Sequence, residues 1–239
     1  MIFRKFCPME LYVLDNIMKE QLTLSNPNNF NDVFDCALLR DNDFLKNLTD
    51  KERYYISQLK VLCLFDVSKK VDNYDEIKRY FWSFYGDSHR GICIEFSIPD
   101  EEFKNTTSNG ILKVTNEIQT ISLNVNCFAG NVEYGSDIIN NISTLKNTIN
   151  RTDFFQIIKN GAFLKDVIFS RENEFRIFKI CDNKEGVSFF SIKDFAQKKI
   201  IFGRECNDSF KKLIFKSVSE RYETYFINEK MEEEKYEFK

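Results

Sequence analysis

Hydrophobic and polar positions along the chain predict short strands and helices in an irregular order. Residues 2–6 and 21–25 alternate between apolar and polar side chains, as half-buried strands do, and residues 11–20 between them carry apolar side chains at helical spacing. The apolar run at 61–65 (VLCLF) has the length and composition of a strand that is buried on both faces, and residues 91–96 (GICIEF) are predicted as the next strand. This part of the chain therefore predicts four strands and a helix between the first two.

Longer helices are predicted where apolar residues recur every three or four positions. Residues 44–60 fit a helix whose second part Thr49 or Asp50 could cap, and residues 74–86 fit one that ends at Gly86. Further helices are predicted at 136–165, 191–197 and 208–226, and further strands at 124–134, 174–180, 187–190 and 199–203. The strands at 174–180 and 187–190 are close enough in sequence to form a hairpin.

The order of these elements predicts the fold class. Strands and helices are interleaved without the regular βαβ spacing of a doubly wound sheet, which favours an α+β fold with a mixed, mainly antiparallel sheet of short strands flanked by helices. No repeat, low-complexity tract or linker divides the chain. We therefore predict a single domain over residues 1–227 and a charged, solvated tail over residues 228–239.

Net charge and cysteine usage limit the classes of function. The formal net charge is −3, from 34 basic and 37 acidic residues, so the chain lacks the basic footprint of a non-specific nucleic-acid binder. Its 7 cysteines are widely spaced, without a CxxC pair or a Cys/His cluster, and we expect buried, reduced thiols. A zinc site is not expected, because His89 is the only histidine.

No segment of the sequence predicts secretion or a membrane span. The opening residues, MIFRKFCPMEL, are too short and too polar for the apolar part of a signal peptide, and no stretch approaches the ~20 apolar residues of a membrane helix. We therefore expect a cytoplasmic protein without a membrane partner.

Common catalytic signatures are absent, since the sequence contains no GxxxxGK[ST], GxGxxG, GxSxG or HExxH motif. Candidate chemistry instead comes from polar side chains near predicted strands. Arg4 lies on the first strand, and Thr23 and Ser25 lead into a loop predicted at 26–35 (NPNNFNDVFD) from its asparagine, aspartate and proline content. The segment at 82–91 (WSFYGDSHRG) fits a pocket wall and equally a helix–strand corner with a structural histidine.

Glu172 and Glu174 form an acidic pair in the sequence ENEFR. In a strand the two side chains would point to the same face, and like charges that close need a compensating cation or substrate hydroxyls. A structural salt-bridge network with Arg171 and Arg176 would compensate them as well. Both interpretations stay open from the sequence.

The chain resembles the bacterial DUF2971 family, whose function is unknown. The resemblance is carried by FRKF at 3–6, LSNPNNFNDVFD at 24–35, CLF at 63–65, WSFYGDSHRGICIEF at 82–96, VEY at 132–134, ENEFRIF at 172–178 and KIIFG at 199–203. One departure is Val33, which stands where a proline often follows the FND sequence. The resemblance implies an accessory or effector protein of bacteria and their mobile elements, in settings suggestive of toxins or phage defence, with a partner protein from the same system.

A weaker likeness to ADP-ribosyltransferases implies NAD as the cofactor and a protein or nucleic acid as the acceptor. In that likeness Glu174 stabilises the charge that develops on the ribose, and Glu172 orients the nucleophile of the acceptor. Arg4 would pair with the pyrophosphate, and Ser25 or Thr23 would hold the ribose. The other residues of the expected NAD site are Phe30 and Tyr85, which could stack on nicotinamide, and His89.

Two other functions fit the same residues. A metal-dependent nuclease-type effector would use Asp32, Asp35, Glu172 and Glu174 as ligands for Mg²⁺ or Mn²⁺, with His89 nearby. A non-enzymatic module would use the polar loop to bind a partner or a small ligand, and the charged clusters would then only stabilise the fold.

Overall fold

A computed structural model describes residues 1–30, 35–68, 74–105, 119–121, 127–135, 158, 161–181 and 187–237. The strands are β1 Ile2–Cys7, β2 Gln21–Leu24, β3 Leu59–Asp66, β4 Ile92–Ser97, β5 Phe103–Asn105, β6 Gln119–Ile121, β7 Cys127–Asn131, β8 Glu133–Gly135, β9 Leu164–Asp166, β10 Glu174–Ile180, β11 Ser188–Ser191, β12 Lys199–Phe202, β13 Glu223–Ile227 and β14 Glu233–Lys235. The helices are α1 Leu11–Met18, α2 Ala37–Arg40, α3 Asn42–Lys46, α4 Asp50–Ser57, α5 Tyr74–Phe84 and α6 Asp208–Val218, with 3-10 turns at Pro27–Asn29, Asp100–Glu102 and Val167–Glu172.

Contacts divide the chain into two compact units. The first unit comprises Met1–Leu22, Leu64–Asp100 and Phe190–Lys239, and the second comprises Thr23–Cys63 and Glu101–Phe189. Both units combine helices with short, mainly antiparallel strands. The predicted α+β class is thereby confirmed.

The sheet of the first unit has the strand order β14-β13-β12-β4-β1-β3, to which β3 contributes its last residues. Among the described residues, neighbouring strands of this sheet pair antiparallel, except that β12 pairs parallel with β13. The register sets Glu95 of β4 opposite both Arg4 of β1 and Lys199 of β12. A core that includes Phe6, Phe81 and other apolar side chains of these strands and α5 lies beside this sheet.

The strands of the second unit follow the order β3-β10-β7-β6-β5, and β8 and β9 form a separate parallel pair. Its core combines apolar side chains of α2, α3 and α4 with residues of β3 and β10. The neighbours of β10 are β3 and β7, so the hairpin predicted between 174–180 and 187–190 is wrong. The pairing of β10 with the sequence-distant strands β3 and β7 is preferred to a hairpin with the strand that follows it in the sequence.

The helix predicted at 44–60 is interrupted. Thr49 begins α4 with a capping box, in which its hydroxyl accepts a hydrogen bond from the backbone N–H of Glu52 at 3.3 Å and its own N–H donates to the Glu52 carboxylate at 2.7 Å. The predicted cap at Thr49 is confirmed. Residues 59 and 60 already belong to β3.

The C-terminal predictions also need correction. The helix predicted at 208–226 ends at Val218, because the run at 223–227 is rich in residues that favour strands and pairs with β12. The predicted helix at 191–197 is wrong, because Ser191 ends β11 and residues 192–197 form a turn and irregular chain. The segment predicted as a solvated tail forms β14 on the edge of the sheet, and Met231 before it is buried. Most of the helix predicted at 136–165 lies outside the described residues; residues 158, 161 and 162 are helical, and residues 164 and 165 belong to β9.

Candidate functional site

Five charged side chains of the second unit meet in its interior, and we call them the charge cluster. They are Asp35, Lys165, Glu172, Glu174 and Arg176, and all are buried. Three segments of the sequence therefore converge there: the end of the asparagine-rich stretch, β9 and the ENEFR sequence. Burying so many charges is unfavourable unless they are paired, so their arrangement decides what the cluster can do.

Lys165 joins the carboxylates of the cluster. Its Nζ lies 2.6 Å from Glu172 Oε2, 3.1 Å from Glu174 Oε2 and 3.7 Å from Asp35 Oδ2. The parallel pairing of β8 with β9 brings it there, because that register sets Lys165 opposite Tyr134, whose hydroxyl accepts the backbone N–H of Glu174 at 2.8 Å.

Glu172 and Glu174 come together by a different route from the one predicted. The sequence predicts both on one face of a strand, but Glu172 ends a 3-10 turn and β10 begins only at Glu174. Asn173 between them has a left-handed backbone with φ of 44°, a conformation that asparagine tolerates better than most residues. The turn, rather than the strand pleat, directs both carboxylates to Lys165.

Arg176 binds the carboxylates from within β10. It lies two positions after Glu174, so both side chains project from the same face of the strand. Its Nε and Nη2 donate to the two carboxylate oxygens of Glu174 at 2.7 and 3.0 Å, and Nη2 also donates to Asp35 Oδ1 at 2.6 Å. Nη1 donates to the carbonyl of Ala162 and to Cys36 Sγ. The guanidinium is 0% exposed, so its donors are satisfied inside the protein.

The electrostatics of the cluster keep it ionised. Burial alone would raise the pKa of Glu174, but Arg176 and Lys165 outweigh burial and lower this pKa to about 2. Burial opposes the charge of Lys165 as well, yet Glu174, Asp35 and Glu172 raise its pKa above the ordinary value. At formal charges the cluster has three carboxylates against two cations, an excess of one negative charge.

Three further residues that the sequence predicts for the NAD site, Thr23, Ser25 and Phe30, lie in the second unit. The guanidinium carbon of Arg176 is 5.9 Å from the ring centre of Phe30, so Phe30 adjoins the charge cluster. The backbone of Ser25 exchanges hydrogen bonds of 2.8 Å with Val61. Thr23 is part of β2. The loop prediction at 26–35 holds where it can be followed, because Asn26 caps a 3-10 turn, but residues 31–34, including Asp32, lie outside the described residues.

Arg4 lies in the first unit, where carboxylates of that unit bind it. Its Nη2 is 2.6 Å from Glu95 Oε2 and 2.8 Å from Glu233 Oε1, and Nη1 donates to the hydroxyl of Tyr74 at 2.9 Å. Lys199 pairs with the other oxygen of Glu95 at 2.8 Å. Arg4 therefore has an internal ion network in place of an exposed guanidinium.

Tyr85 and His89 also lie in the first unit, just after α5. Tyr85 is 41% exposed and packs against Phe81, with ring centres 5.5 Å apart. The His89 ring stacks on Trp82 at 6.3 Å. The structure thus brings Glu172, Glu174 and Phe30 together in one unit and places Arg4, Tyr85 and His89 in the other.

The sequence does not predict the part that Arg176 and Lys165 play in the charge cluster. From the sequence, Arg176 is expected only as a structural partner of the acidic pair, although its spacing of two from Glu174 indicates a shared strand face. Lys165 gave no local signal, because it reaches the glutamates only through the pairing of β8 with β9. The sequence predicts Asp35 as a metal ligand, whereas in the structure its carboxylate forms ion pairs with Lys165 and Arg176.

Comparison with protein families gives a match over residues 81–177. That segment matches the model of the DUF2971 family, which is described as a protein of unknown function. The predicted family is confirmed over these residues. The DUF2971 segment contains Lys165, Glu172, Glu174 and Arg176 of the charge cluster, and also Trp82 and His89, whereas Asp35 precedes it. Neither the curated proteins nor the solved structures gave a match, and nothing in the comparisons supports the likeness to ADP-ribosyltransferases.

Further observations bear on the predicted metal site and on the predicted absence of a membrane span. In the described part of the chain, no group of three or more His, Cys, Asp or Glu side chains is arranged to hold a metal ion. The carboxylates of the cluster instead surround the ammonium of Lys165. No helix among the described residues is long and apolar enough to span a bilayer.

Proposed function

We propose that the chain is an NAD-consuming enzyme of the ADP-ribosyltransferase type and that the charge cluster is its reaction centre. The observation that carries the proposal is the contact of Lys165 with both Glu172 and Glu174, because it puts the predicted acidic pair at one point of the second unit. Phe30 supplies an aromatic ring beside it. The acceptor of ADP-ribose is a protein or a nucleic acid.

The charge of the cluster suits this reaction. Breaking the bond between nicotinamide and ribose develops positive charge on the ribose. The carboxylate of Glu174, with a pKa of about 2, is ionised at neutral pH and so acts as an electrostatic stabiliser rather than as a proton donor. The excess negative charge of the cluster favours the same cationic transition state.

The proposal requires that the ligand replaces part of the internal pairing. Glu174 accepts hydrogen bonds from both Arg176 and Lys165, so a ribose hydroxyl reaches its carboxylate only when Lys165 moves away. A released Lys165 could then bind a phosphate of NAD. The roles predicted for Thr23 and Ser25, and for Arg4, Tyr85 and His89 of the first unit, stay predictions.

The experiment is nicotinamide release from NAD by the purified chain. Glu174→Gln should lower the rate at least 100-fold, because losing one stabilising charge in such a centre costs on the order of 10²–10³ in rate. The matched control is Glu20→Gln, which removes another buried carboxylate, paired with Lys198 in the first unit, and should leave the rate unchanged. Absence of release, or release unchanged in Glu174→Gln, contradicts the proposal.

A second candidate is a non-enzymatic binding module, in which the cluster only stabilises the second unit. The observation that favours it is that Glu174 and Arg176 are buried and already bound to one another. This candidate predicts that Glu174→Gln lowers the free energy of unfolding. It also predicts that NAD leaves the melting temperature of the wild-type chain and of Glu174→Gln unchanged. Thermal unfolding of both proteins with and without NAD therefore separates the two functions.

A further inference from the structure

The turn that follows α5 is strained in a way that stability does not explain. Asp87, Ser88 and His89 have φ of 50°, 52° and 67°. This left-handed backbone costs roughly 1 kcal/mol or more for each residue other than glycine. The neighbouring chain holds the turn in place, because a Cβ at Gly203 would lie 2.1 Å from the His89 carbonyl oxygen.

Two buried nitrogen atoms at this turn add to the cost. Trp82 Nε1 and His89 Nδ1 have no hydrogen-bond partner within the described residues. Their rings lie nearly parallel, at 15°, with centres 6.3 Å apart. A buried polar atom without a partner costs about 1–3 kcal/mol. Strain and unsatisfied polar atoms at one place are typical of functional sites.

The second imidazole nitrogen faces a serine. His89 Nε2 lies 3.4 Å from Oγ of Ser83, an exposed residue in the last turn of α5. Burial and Arg204 lower the pKa of His89 from the ordinary 6.5, and Glu205 opposes them. The imidazole is therefore neutral at pH 7, and Nε2 can accept the hydroxyl proton in the tautomer that carries its proton on Nδ1.

We propose that Ser83 and His89 form a nucleophilic dyad that accepts an acyl group from an ester. His89 Nε2 takes the proton of Ser83 Oγ as this oxygen bonds to the acyl carbon. The bond from the acyl carbon to the leaving oxygen then breaks, and the alcohol leaves with the proton from Nε2. Water attacks the acyl-serine through the same proton transfers and releases the free acid.

The surroundings of Ser83 indicate the class of ester. The next residues, Phe84 and Tyr85, are 72% and 41% exposed, and the Tyr80 ring packs against both at 4.7 and 6.1 Å. These rings form an apolar surface beside the nucleophile, which suits an aromatic or aliphatic acyl group. His89 Nδ1 has no partner within the described residues, and without an orienting carboxylate such a base works about 10⁴-fold more slowly. Slow acylation is therefore expected, and covalent labelling is the suitable readout.

The test is labelling of the full chain with a fluorophosphonate probe, followed by peptide mass spectrometry. Label on Ser83 is expected, lost in Ser83→Ala and at least 10-fold slower in His89→Asn, in which asparagine tolerates the left-handed backbone. Ser217→Ala, which removes a partly exposed serine of α6, should leave the labelling of Ser83 unchanged. The labelling reaction contains no NAD, so this proposal and the proposed function fail separately.

Three results would overturn the dyad: no label on Ser83, an equal rate in His89→Asn, or equal labelling of Ser217. The pH profile of the wild-type chain decides the matter even if His89→Asn fails to fold. The labelling rate should rise with pH through a midpoint below 6.5 and be level above pH 7, as titration of His89 requires. A rate that keeps rising tenfold for each pH unit above 7 would mean attack without the histidine.

Discussion

The carboxylate of Asp35 and the guanidinium of Arg176, 141 positions apart in the sequence, are joined at 2.6 Å in the interior of the second unit. The same guanidinium binds Glu174 two residues before it, so one side chain ties the end of the asparagine-rich stretch to β10. Removing one partner of such a buried ion pair lowers the stability strongly, because the remaining charges stay buried without an opposite charge.

Arg176→Met should therefore lower the free energy of unfolding by about 3–5 kcal/mol. Urea denaturation measures the change. Lys46→Met is the control, because it breaks an exposed ion pair with Asp43 and should change the stability very little. A loss below about 1 kcal/mol in Arg176→Met would show that the cluster does not hold the unit together.

Stability should also depend on acid through Glu174. Its pKa of about 2 in the folded chain lies below the ordinary 4.5, so its stabilisation is complete above pH 4.5 and is lost as the pH falls toward 2. The loss is on the order of 3 kcal/mol. Urea denaturation at a series of pH values measures this loss. Below pH 4.5 the free energy of unfolding should fall less steeply with decreasing pH in Glu174→Gln than in the wild-type chain. An equally steep fall in both proteins would contradict the low pKa of Glu174.

Cys7 and Cys36 should be unreactive toward alkylating reagents in the folded chain. Burial raises the pKa of Cys36 to about 12 and that of Cys7 to about 11, so almost no thiolate is present at pH 8. Alkylation with iodoacetamide should spare both in the native protein and modify both in urea, as read by peptide mass spectrometry. Rapid native modification of Cys36 would show that the region around Arg176 opens readily.

The C-terminal segment should contribute to stability. Met231 is buried, its carbonyl accepts a hydrogen bond from Lys78 at 2.7 Å, and Glu233 pairs with Arg4 at 2.8 Å. A chain that ends at Ile227 loses these partners and should melt several degrees lower, at roughly 2–4 °C for each kcal/mol lost. A chain that ends at Tyr236 keeps β14 and is the control. Equal melting temperatures of the two truncated chains would support the prediction that residues 228–239 are a solvated tail.

Local sequence patterns predicted the parts of the fold that depend on neighbouring residues. The strands β1, β2, β3 and β4 and the helix α5 follow from alternation, apolar runs and helical spacing, and the cap at Thr49 follows from its side chain and from Glu52. The sequence missed β14 because an edge strand of charged residues looks like solvated chain. It extended α6 because Tyr222 and Phe226 keep a helical spacing inside a segment that pairs as a strand.

The candidate site was predictable only in part. The acidic pair Glu172 and Glu174 is visible in the sequence, whereas the turn through Asn173 that orients it is not. Lys165 and Asp35 join the pair through strand pairing and a loop far away in sequence. Contacts of that range depend on the whole fold, which no local pattern contains.

The central claim is that the charge cluster is where the chain meets its ligand. Hydrogen exchange of the full chain with and without NAD tests it most directly, because bound ligand slows exchange in the elements that hold it. The account predicts slower exchange in β9 and in β10, the strands of Lys165 and Glu174, and loss of this effect in Glu174→Gln. Exchange that NAD leaves unchanged in both strands would contradict it.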